Sequence, residues 1–353
     1  MTAVGDILEL AYGKALKESD RDGGPFPVVG SGGIVGGHSL GITEQPTIVV
    51  GRKGSIGTVT WIDGPAWPID TAYYVKPRRS DLHPRWAYWM LSSLGMETMN
   101  KSAAVPGLNR DDVYRLDVDV PAPMKQRRIA AILDHADTLR AKRRQVLALL
   151  AAVESSVFRW AVGEGVDAGR LGDLATTTSG GTPNRSIAAN FGGGISWVKS
   201  GELRGGLIAS TEETISGQGL ATSSAKIFPA GTVLLAMYGA TAGVVGQLGV
   251  DAATNQAVCA ITPGPALNAE FLVAALRAQT AQLVARAAGG AQPNLSQGIV
   301  RDLVIPLPTL ARQQEFSTQV AALRKQRAKV VLAQGLETDL FSVLQSRAFA
   351  GEL

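Results

Sequence analysis

The chain has 353 residues, of which 45% are hydrophobic, so it is long enough for two or three domains that each bury a core. Its one cysteine excludes an internal disulfide and a thiolate zinc cluster, and its three histidines are too scattered to predict a metal site. The formal net charge of +4 leaves nucleic acid open as a partner without requiring it.

The first ten residues have neither the basic start nor the apolar run of a secretion signal. Further along the chain, no continuous apolar run reaches the roughly 18 residues of a membrane helix. We therefore expect a cytoplasmic protein that makes no membrane contact. The 41 glycines and 17 prolines predict many turns and short strands beside two long helical stretches, so the predicted fold class is α+β.

The first half of the chain resembles the second when Ile48 is placed over Val233 and the register is continued without a gap over positions 48–123. This register also places Ala72 over Ala257 and Asn109 over Asn294. The matches fall on glycines, prolines and the order of elements, where backbone geometry restricts the choice of residue. The pattern predicts two similar globular modules with two similar recognition tasks. A duplicated fold in which one half has lost its role remains the alternative.

A long helical stretch follows each module, and the two are expected to pair as an antiparallel coiled coil. The apolar residues of the first have heptad spacing with Arg143 as the one polar interruption, and those of the second are closer to a period of about 3.6 residues. The predicted seam comprises Ile129, Ile132, Ala136, Leu139, Val146, Leu150, Val153 and Val157 in the first helix, and Phe316, Val320, Leu323, Val330, Ala333, Leu336, Leu340 and Leu344 in the second. The predicted organisation is a module at 1–122, a central long helix at 123–162, a linker at 163–170, a second module at 171–308 and a C-terminal long helix at 309–353.

Basic residues crowd both helical stretches. Lys125 and Arg127 fall in a first turn, where the helix dipole disfavours cations, so an acidic partner is expected there. For most of the other cations a solvated helix face is the alternative.

Several segments resemble the specificity (S) subunit of type I restriction-modification systems. In the first half they are Pro-Phe-Pro-Val-Val-Gly-Ser-Gly-Gly (25–33), Gly-Arg-Lys-Gly-Ser-Ile-Gly (51–57) and Asp-Thr-Ala (70–72). In the second half they are Gly-Gly-Thr-Pro (180–183), Tyr-Gly-Ala-Thr-Ala-Gly (238–243), Thr-Asn-Gln-Ala (254–257) and Phe-Ala-Gly-Glu-Leu (349–353).

The resemblance implies a non-catalytic subunit in which two target-recognition domains each read one half of a bipartite, asymmetric site in double-stranded DNA. The helices would set the spacer and dock two methyltransferase subunits. S-adenosylmethionine would bind to those subunits and ATP to restriction subunits where these join, so no cofactor is expected on this chain. The sequence has no Asn/Asp-Pro-Pro-aromatic adenine loop and no nucleotide phosphate loop. A self-contained fused restriction-methylation enzyme and a coiled-coil adaptor without a DNA role are the alternatives.

Candidate DNA contacts lie mainly in glycine-rich loops. Arg52 and Lys53 sit on backbone that can approach phosphate, and an arginine can also bind a guanine edge. Asn255 and Gln256 have amides suited to adenine, although an amide beside a turn also satisfies backbone groups. Because Tyr238 stands where Lys53 does in the other module, the two modules are expected to read different bases. The full predicted set is Arg52, Lys53, Ser55, Arg110, Lys199, Arg204, Tyr238, Thr241, Asn255, Gln256 and Arg301.

Overall fold

The computed structural model describes residues 1–44, 46–100, 107–287 and 294–353. Its contacts divide the chain into two units. Unit 1 comprises Met1–Val146 and Val330–Leu353, and unit 2 comprises Leu147–Lys329. The sequence predicted the long helices as separate segments, whereas the contacts assign part of each helix to each unit.

Unit 1 begins with a module of short strands and helices. The strands are β1 (Thr2–Ala3), β2 (Leu8–Tyr12), β3 (Phe26–Gly30), β4 (Gly33–His38), β5 (Thr47–Gly51), β6 (Val59–Ile62), β7 (Trp67–Pro68), β8 (Ala72–Pro77) and β9 (Asp117–Val118). The helices are α1 (Val4–Ile7), α2 (Pro84–Ser92) and α3 (Arg110–Tyr114), with 3-10 turns at Glu18–Asp20 and Met96–Thr98. The sheets have the strand orders β2-β8-β5-β6, β4-β3-β7 and β1-β9.

The core of unit 1 lies between the four-stranded sheet and α2. All five residues of β5 are buried, as expected for an apolar run at the centre of a sheet. Pro84 occupies the first turn of α2, where its fixed φ favours helix and its missing N–H costs nothing. Trp86 and Met90 are one helical turn apart, so both side chains point into this core. Each is 1% exposed or less.

Unit 2 contains the second module. Its strands are β10 (Ala168–Arg170), β11 (Ala175–Ser179), β12 (Phe191–Val198), β13 (Leu207–Ile208), β14 (Glu213–Ile215), β15 (Ile227–Phe228), β16 (Val233–Ala236), β17 (Val245–Leu248), β18 (Ala252–Thr254), β19 (Val258–Pro263) and β20 (Val304–Pro306). Its helices are α5 (Leu171–Leu174), α6 (Gly217–Ala221), α7 (Ala269–Ala278), α8 (Thr280–Ala287) and α9 (Gln297–Arg301), with 3-10 turns at Ala188–Asn190, Ser200–Gly205 and Gly239–Thr241. The strand orders are β11-β19-β16-β17-β13, β14-β12-β18-β15 and β10-β20.

The two modules repeat the same backbone hydrogen bonds, which confirms the duplication but corrects its register. The bond from Arg52 N to Thr71 O is repeated by the bond from Met237 N to Ala257 O. Arg52 therefore matches Met237 as predicted, but it is Thr71, and not Ala72, that matches Ala257.

The register slips once more further along the chain. The bond from Leu108 N to Arg52 O is repeated by the bond from Leu295 N to Met237 O. Leu108 therefore matches Leu295, two positions beyond the partner that the gapless register gave it. That register was wrong, because the second module has extra residues between equivalent turns of the backbone.

The corrected register changes the role of Asn294. Asn109 caps α3 by accepting a hydrogen bond from the backbone N–H of Asp111. Its equivalent is Ser296, which caps α9 by accepting from Ile299 N, whereas Asn294 forms an isolated bridge with Tyr238. The predicted match of Asn109 with Asn294 is wrong by two positions. Residues 101–106, part of the predicted register, lie outside the described residues.

Two 40-residue helices connect to the modules: α4 (Pro123–Val162) and α10 (Leu310–Phe349). In unit 1, Arg140 lies 4.3 Å from the ring centroid of Phe341, and Arg143 pairs with Glu337 at 2.5 Å. The order of these contacts is antiparallel, as predicted. In unit 2 the same order brings Phe158 of α4 against Phe316 of α10, with ring centroids 5.9 Å apart.

Length and composition alone would also allow α4, among the described helices, to cross a membrane. One such helix is weak evidence, because the long helix of a globular protein passes the same test. Residues of α4 are part of both hydrophobic cores: Ile129 and Leu133 in unit 1, and Ala161 in unit 2.

The observed seam lies one residue later than the predicted seam at several positions. Leu133 is fully buried, whereas the predicted Ile132 is only half-buried. Five predicted seam residues are exposed instead, namely Leu139 (42%), Val146 (41%), Val153 (45%), Leu336 (66%) and Leu340 (56%). Ile129, Phe316 and Val320 are buried, and Leu150, Leu323 and Val330 are half-buried. A shift of one residue rotates a helix by about 100°, so Arg140 and Phe341 occupy the seam while Leu139 and Leu340 face outward. Arg143 lies in the seam at the position that the predicted spacing gave it.

The start of each long helix is joined to its module by a buried glutamine. The Gln126 side chain accepts a hydrogen bond from His83 N (2.7 Å) and donates one to Pro121 O (2.9 Å). Gln313 repeats both contacts in unit 2, accepting from Asn268 N (2.7 Å) and donating to Pro308 O (2.8 Å). Each glutamine therefore fixes the helix start against the first residues of α2 or α7.

Lys125 is compensated by a backbone carbonyl at the end of the other helix, where an acidic partner was expected. Its ammonium donates to Gly351 O at 3.0 Å, directly after α10. Arg312 has the equivalent place in α10, and its guanidinium lies 5.5 Å from the Trp160 ring near the end of α4. A helix C-terminus favours cations, so the antiparallel arrangement turns an unfavourable position on one helix into a favourable one on its neighbour.

Candidate nucleic-acid interface

In unit 1 the candidate contacts lie in a tight loop between β5 and β6. A side chain at Gly51 would place its Cβ 2.0 Å from Ser55 O, so the loop folds back closely on itself. Gly54 has a φ of +77°, in the left-handed region that glycine adopts without strain. The backbone N–H groups of Arg52 and Lys53 both donate to Thr71 O. These bonds hold the loop against the start of β8.

Arg52 and Arg110 meet at one aromatic ring. The guanidinium of Arg52 lies 4.8 Å from the ring centroid of Tyr12, and that of Arg110 lies 4.9 Å from it. Arg52 also donates to Asp70 O at 2.8 Å and lies 5.8 Å from the ring of Tyr73. Burial raises the pKa of Tyr73, so this phenol stays neutral beside the guanidinium.

Lys53 and Ser55 are exposed at the edge of this cluster. Lys53 forms an isolated bridge with Gly107, and Ser55 lies beside Gly32 at the turn between β3 and β4. The structure therefore brings together all four predicted contacts of the first module, and it adds Tyr12, which the sequence interpretation missed. A tyrosine at the end of a strand carries no signal of its own until the arginines are placed beside it.

In unit 2 three predicted contacts lie around the turn at Gly239–Thr241. Tyr238 is 40% exposed, so it is not packed into the core. The Thr241 hydroxyl donates to Tyr238 O at 3.2 Å, and Arg204 donates to Ala240 O at 3.4 Å. Tyr238 occupies the position of Lys53, because each forms the equivalent isolated bridge. The two modules thus present a tyrosine and a lysine at the same place.

The other predicted contacts of unit 2 are engaged within the protein. The Lys199 ammonium pairs with Glu212 (2.8 Å) and Glu213 (3.0 Å), and these hydrogen bonds raise its pKa. The Arg301 Nε donates to the Thr177 hydroxyl at 2.7 Å. A phosphate contact by either residue would compete with these bonds.

The two amides of unit 2 also have partners. Asn255 Oδ1 accepts from Ala257 N at 3.2 Å, as expected for an amide that satisfies a turn. Gln256 is exposed and accepts a hydrogen bond from the Thr182 hydroxyl. This bond places Gln256 beside the Gly-Gly-Thr-Pro segment.

A second exposed surface lies on the paired helices of unit 1. It consists of Leu139 and Val146 on α4 with Leu332, Leu336, Leu340 and Val343 on α10, which we name the apolar helix face. Leu139 directly precedes Arg140, and Leu336 and Leu340 precede Glu337 and Phe341, which are seam residues. These side chains therefore lie about 100° from the seam in the same rotational sense. In an antiparallel pair, this places both stripes on one face.

The comparisons with known proteins agree with this architecture. Residues 1–149 and 163–327 match the sequence model of the type I restriction modification DNA specificity domain. The specificity subunit of the type I restriction enzyme MjaIX from Methanocaldococcus jannaschii is 27% identical over 157 residues, and that of EcoprrI from Escherichia coli is 27% identical over 142 residues. The alignments cover 43% and 38% of this chain, and they span only 36% and 35% of those relatives.

Solved structures share the fold over nearly the whole chain. The S subunit of a type I restriction-modification system from M. genitalium superposes with a TM-score of 0.67 at 14% identity, covering 98% of this chain and 95% of that one. A chain from a type I restriction-modification complex superposes with a TM-score of 0.57 at 14% identity, covering 100% of this chain and 97% of that one. Similarity at this identity concerns the fold alone.

Proposed function

The chain belongs to the family defined by the type I restriction modification DNA specificity domain, and on that premise we propose that it is the DNA sequence-recognition subunit of a type I restriction-modification methyltransferase complex. Each module reads one half of a bipartite, asymmetric site in double-stranded DNA. The observation that carries the proposal is that this domain occurs twice in the chain, on equivalent backbones whose exposed loop residues differ, such as Lys53 and Tyr238. Two different half-sites require different contact residues, which loops on equivalent backbones can provide.

The apolar helix face supports a protein partner. A row of leucine and valine side chains that are 41% to 69% exposed is unusual on a free surface and typical of a docking surface for another helix. We assign it to a methyltransferase subunit, with the equivalent exposed pair Leu149 and Val153 in unit 2 receiving a second copy. Restriction subunits would join the same complex.

Catalysis and its cofactors are assigned to those partners. S-adenosylmethionine would bind to the methyltransferase subunits and ATP to the restriction subunits, and this chain would act in the cytoplasm without chemistry of its own. Methylation by the isolated chain with S-adenosylmethionine would contradict this division and favour a fused enzyme.

The direct test is methylation sequencing of cells with and without this gene. We expect adenine methylation at one bipartite motif that disappears when the gene is deleted. Replacing residues 1–122 by the first module of another family member should change one half of the motif and leave the other half intact. A change in both halves, or in neither, would contradict the assignment of one half-site to each module.

The long helices are proposed to set the gap between the half-sites. Seven residues add about 10 Å to a helix, or about three base pairs of DNA. One heptad is inserted after Val146 in α4 and another after Lys329 in α10, because these positions are the boundaries between the two units. Neither insertion therefore interrupts a segment that belongs to one unit. The methylated motif should then have a gap about three base pairs longer, and the same gap as in the wild type would refute this role. Insertion into α4 alone is the control, because it places the two helices out of register.

A further inference from the structure

We propose that Tyr12 is a positioning residue that joins Arg52 and Arg110 into one binding site for DNA phosphate, and that only the first module has this site. The inference rests on the proposed function and deepens it, because it names the chemical group that the site takes. Tyr12 lies at the end of β2 and is 49% exposed, and Arg52 and Arg110 are each half-buried, so the cluster remains accessible to a ligand.

The geometry explains how one ring can hold two cations. Each guanidinium carbon lies within 5 Å of the Tyr12 centroid, so the two charges are no more than about 10 Å apart. The ring attracts both through its negative face. The hydrogen bond to Asp70 O fixes the orientation of Arg52, and Arg110 is fixed at the start of α3 by the Asn109 cap.

The electrostatics show what the site is suited to bind. In the described part of the chain, neither Arg52 nor Arg110 has a carboxylate within 4 Å, and the same holds for Lys53. Lys199 and Arg185 in unit 2 are instead paired with glutamates. Three cations without a carboxylate repel one another, and DNA phosphates relieve that repulsion while matching the planar donors of arginine.

The second module lacks every part of this site. The corrected register places Ser179 at the position of Tyr12, Met237 at that of Arg52 and Gln297 at that of Arg110. Met237 is 1% exposed, so its side chain packs in the core instead of facing a ligand. The first module should therefore contribute more of the salt-dependent binding than the second.

The test uses the full chain copurified with its methyltransferase subunits and a labelled duplex that carries the methylated motif. Fluorescence anisotropy between about 50 and 200 mM salt gives the slope of log K against log salt, which changes by about 0.9 for each phosphate neutralised by the protein. Arg52→Gln and Arg110→Gln should each reduce the slope by about 0.9. Tyr12→Leu should reduce the slope by up to about 1.8. Between the two salt concentrations, the affinity of this variant should then fall about tenfold less than that of the wild type. Tyr12→Phe should keep the wild-type slope because it retains the ring.

The matched control is Lys76→Gln, which removes an exposed cation that lies 5.4 Å from the ring of Tyr74 in the same module. It should leave the slope unchanged. A wild-type slope in folded Tyr12→Leu, together with reduced slopes in both arginine variants, would overturn the role of Tyr12. Wild-type slopes in both arginine variants would overturn the phosphate site itself, even if Tyr12→Leu fails to fold. Absence of DNA binding by the wild-type complex would instead contradict the proposed function.

Discussion

The buried glutamines at the helix starts make a quantitative prediction about the independence of the two units. Gln126→Met keeps the length and volume of the side chain but removes its hydrogen bonds to His83 N and Pro121 O. An amide or carbonyl group that loses its partner inside a protein costs about 1 to 3 kcal/mol. Both backbone groups here are only half-buried, so we expect a loss of about 2 to 4 kcal/mol in the stability of unit 1.

Gln313→Met should cost somewhat more in unit 2. Gln313 donates to Ala266 O (3.1 Å) as well as to Pro308 O, and Pro308 is buried. The control is Gln145→Met, which changes an exposed glutamine of α4 and should alter stability by less than about 0.5 kcal/mol.

Hydrogen exchange followed by mass spectrometry separates the two units because it reads each peptide separately. A loss of about 2 to 4 kcal/mol accelerates exchange from the globally protected amides by about 30- to 700-fold. Gln126→Met should show this in β5 and α2 while β16 and α7 keep their protection, and Gln313→Met should show the reverse. An effect below about 0.5 kcal/mol, or equal effects on both units, would refute the reasoning.

Three further expectations concern the cores and the seam. Leu133→Ala, at a fully buried position, should destabilise unit 1 by about 2 to 5 kcal/mol. Leu139→Asp should change stability little and should instead weaken copurification of the methyltransferase subunit. Strong destabilisation by Leu139→Asp would contradict the observed seam. Arg143→Glu should lower the midpoint of denaturation because it places two carboxylates side by side in the seam, and adding Glu337→Arg should restore the midpoint. Failure of this rescue would contradict the pair. Burial raises the pKa of Cys259 to about 12, so its thiol stays protonated at pH 8 and the native chain should resist iodoacetamide until it unfolds; rapid native alkylation would contradict the buried position in β19.

The seam illustrates where sequence interpretation reached its limit. The spacing of apolar residues correctly predicted two long helices, because that spacing is a local property of the chain. It chose Leu139 and Leu340 for the interface, but the pair closes on their neighbours Arg140 and Phe341 instead. Which stripe faces inward depends on how Ile129 and Leu133 dock on their module.

The DNA contacts show a similar division. Glycine spacing predicted the loop of Arg52 and Lys53, since glycines are confined to a few backbone geometries. The role of Tyr12 and the pairing of Lys199 with two glutamates depend on residues that come from separate strands, turns and helices. Such contacts cannot be predicted from a local sequence pattern.

The sequence by itself determined the duplication, the α+β class, the helix pair and the family resemblance, because these follow from composition, periodicity and the order of backbone-restricted residues. Only the tertiary structure decided the register between the modules, the face of each helix that is buried, and which cations remain without a carboxylate. Those properties arise when distant segments pack, and the free energy of burying or pairing a side chain depends on neighbours that its own segment does not contain.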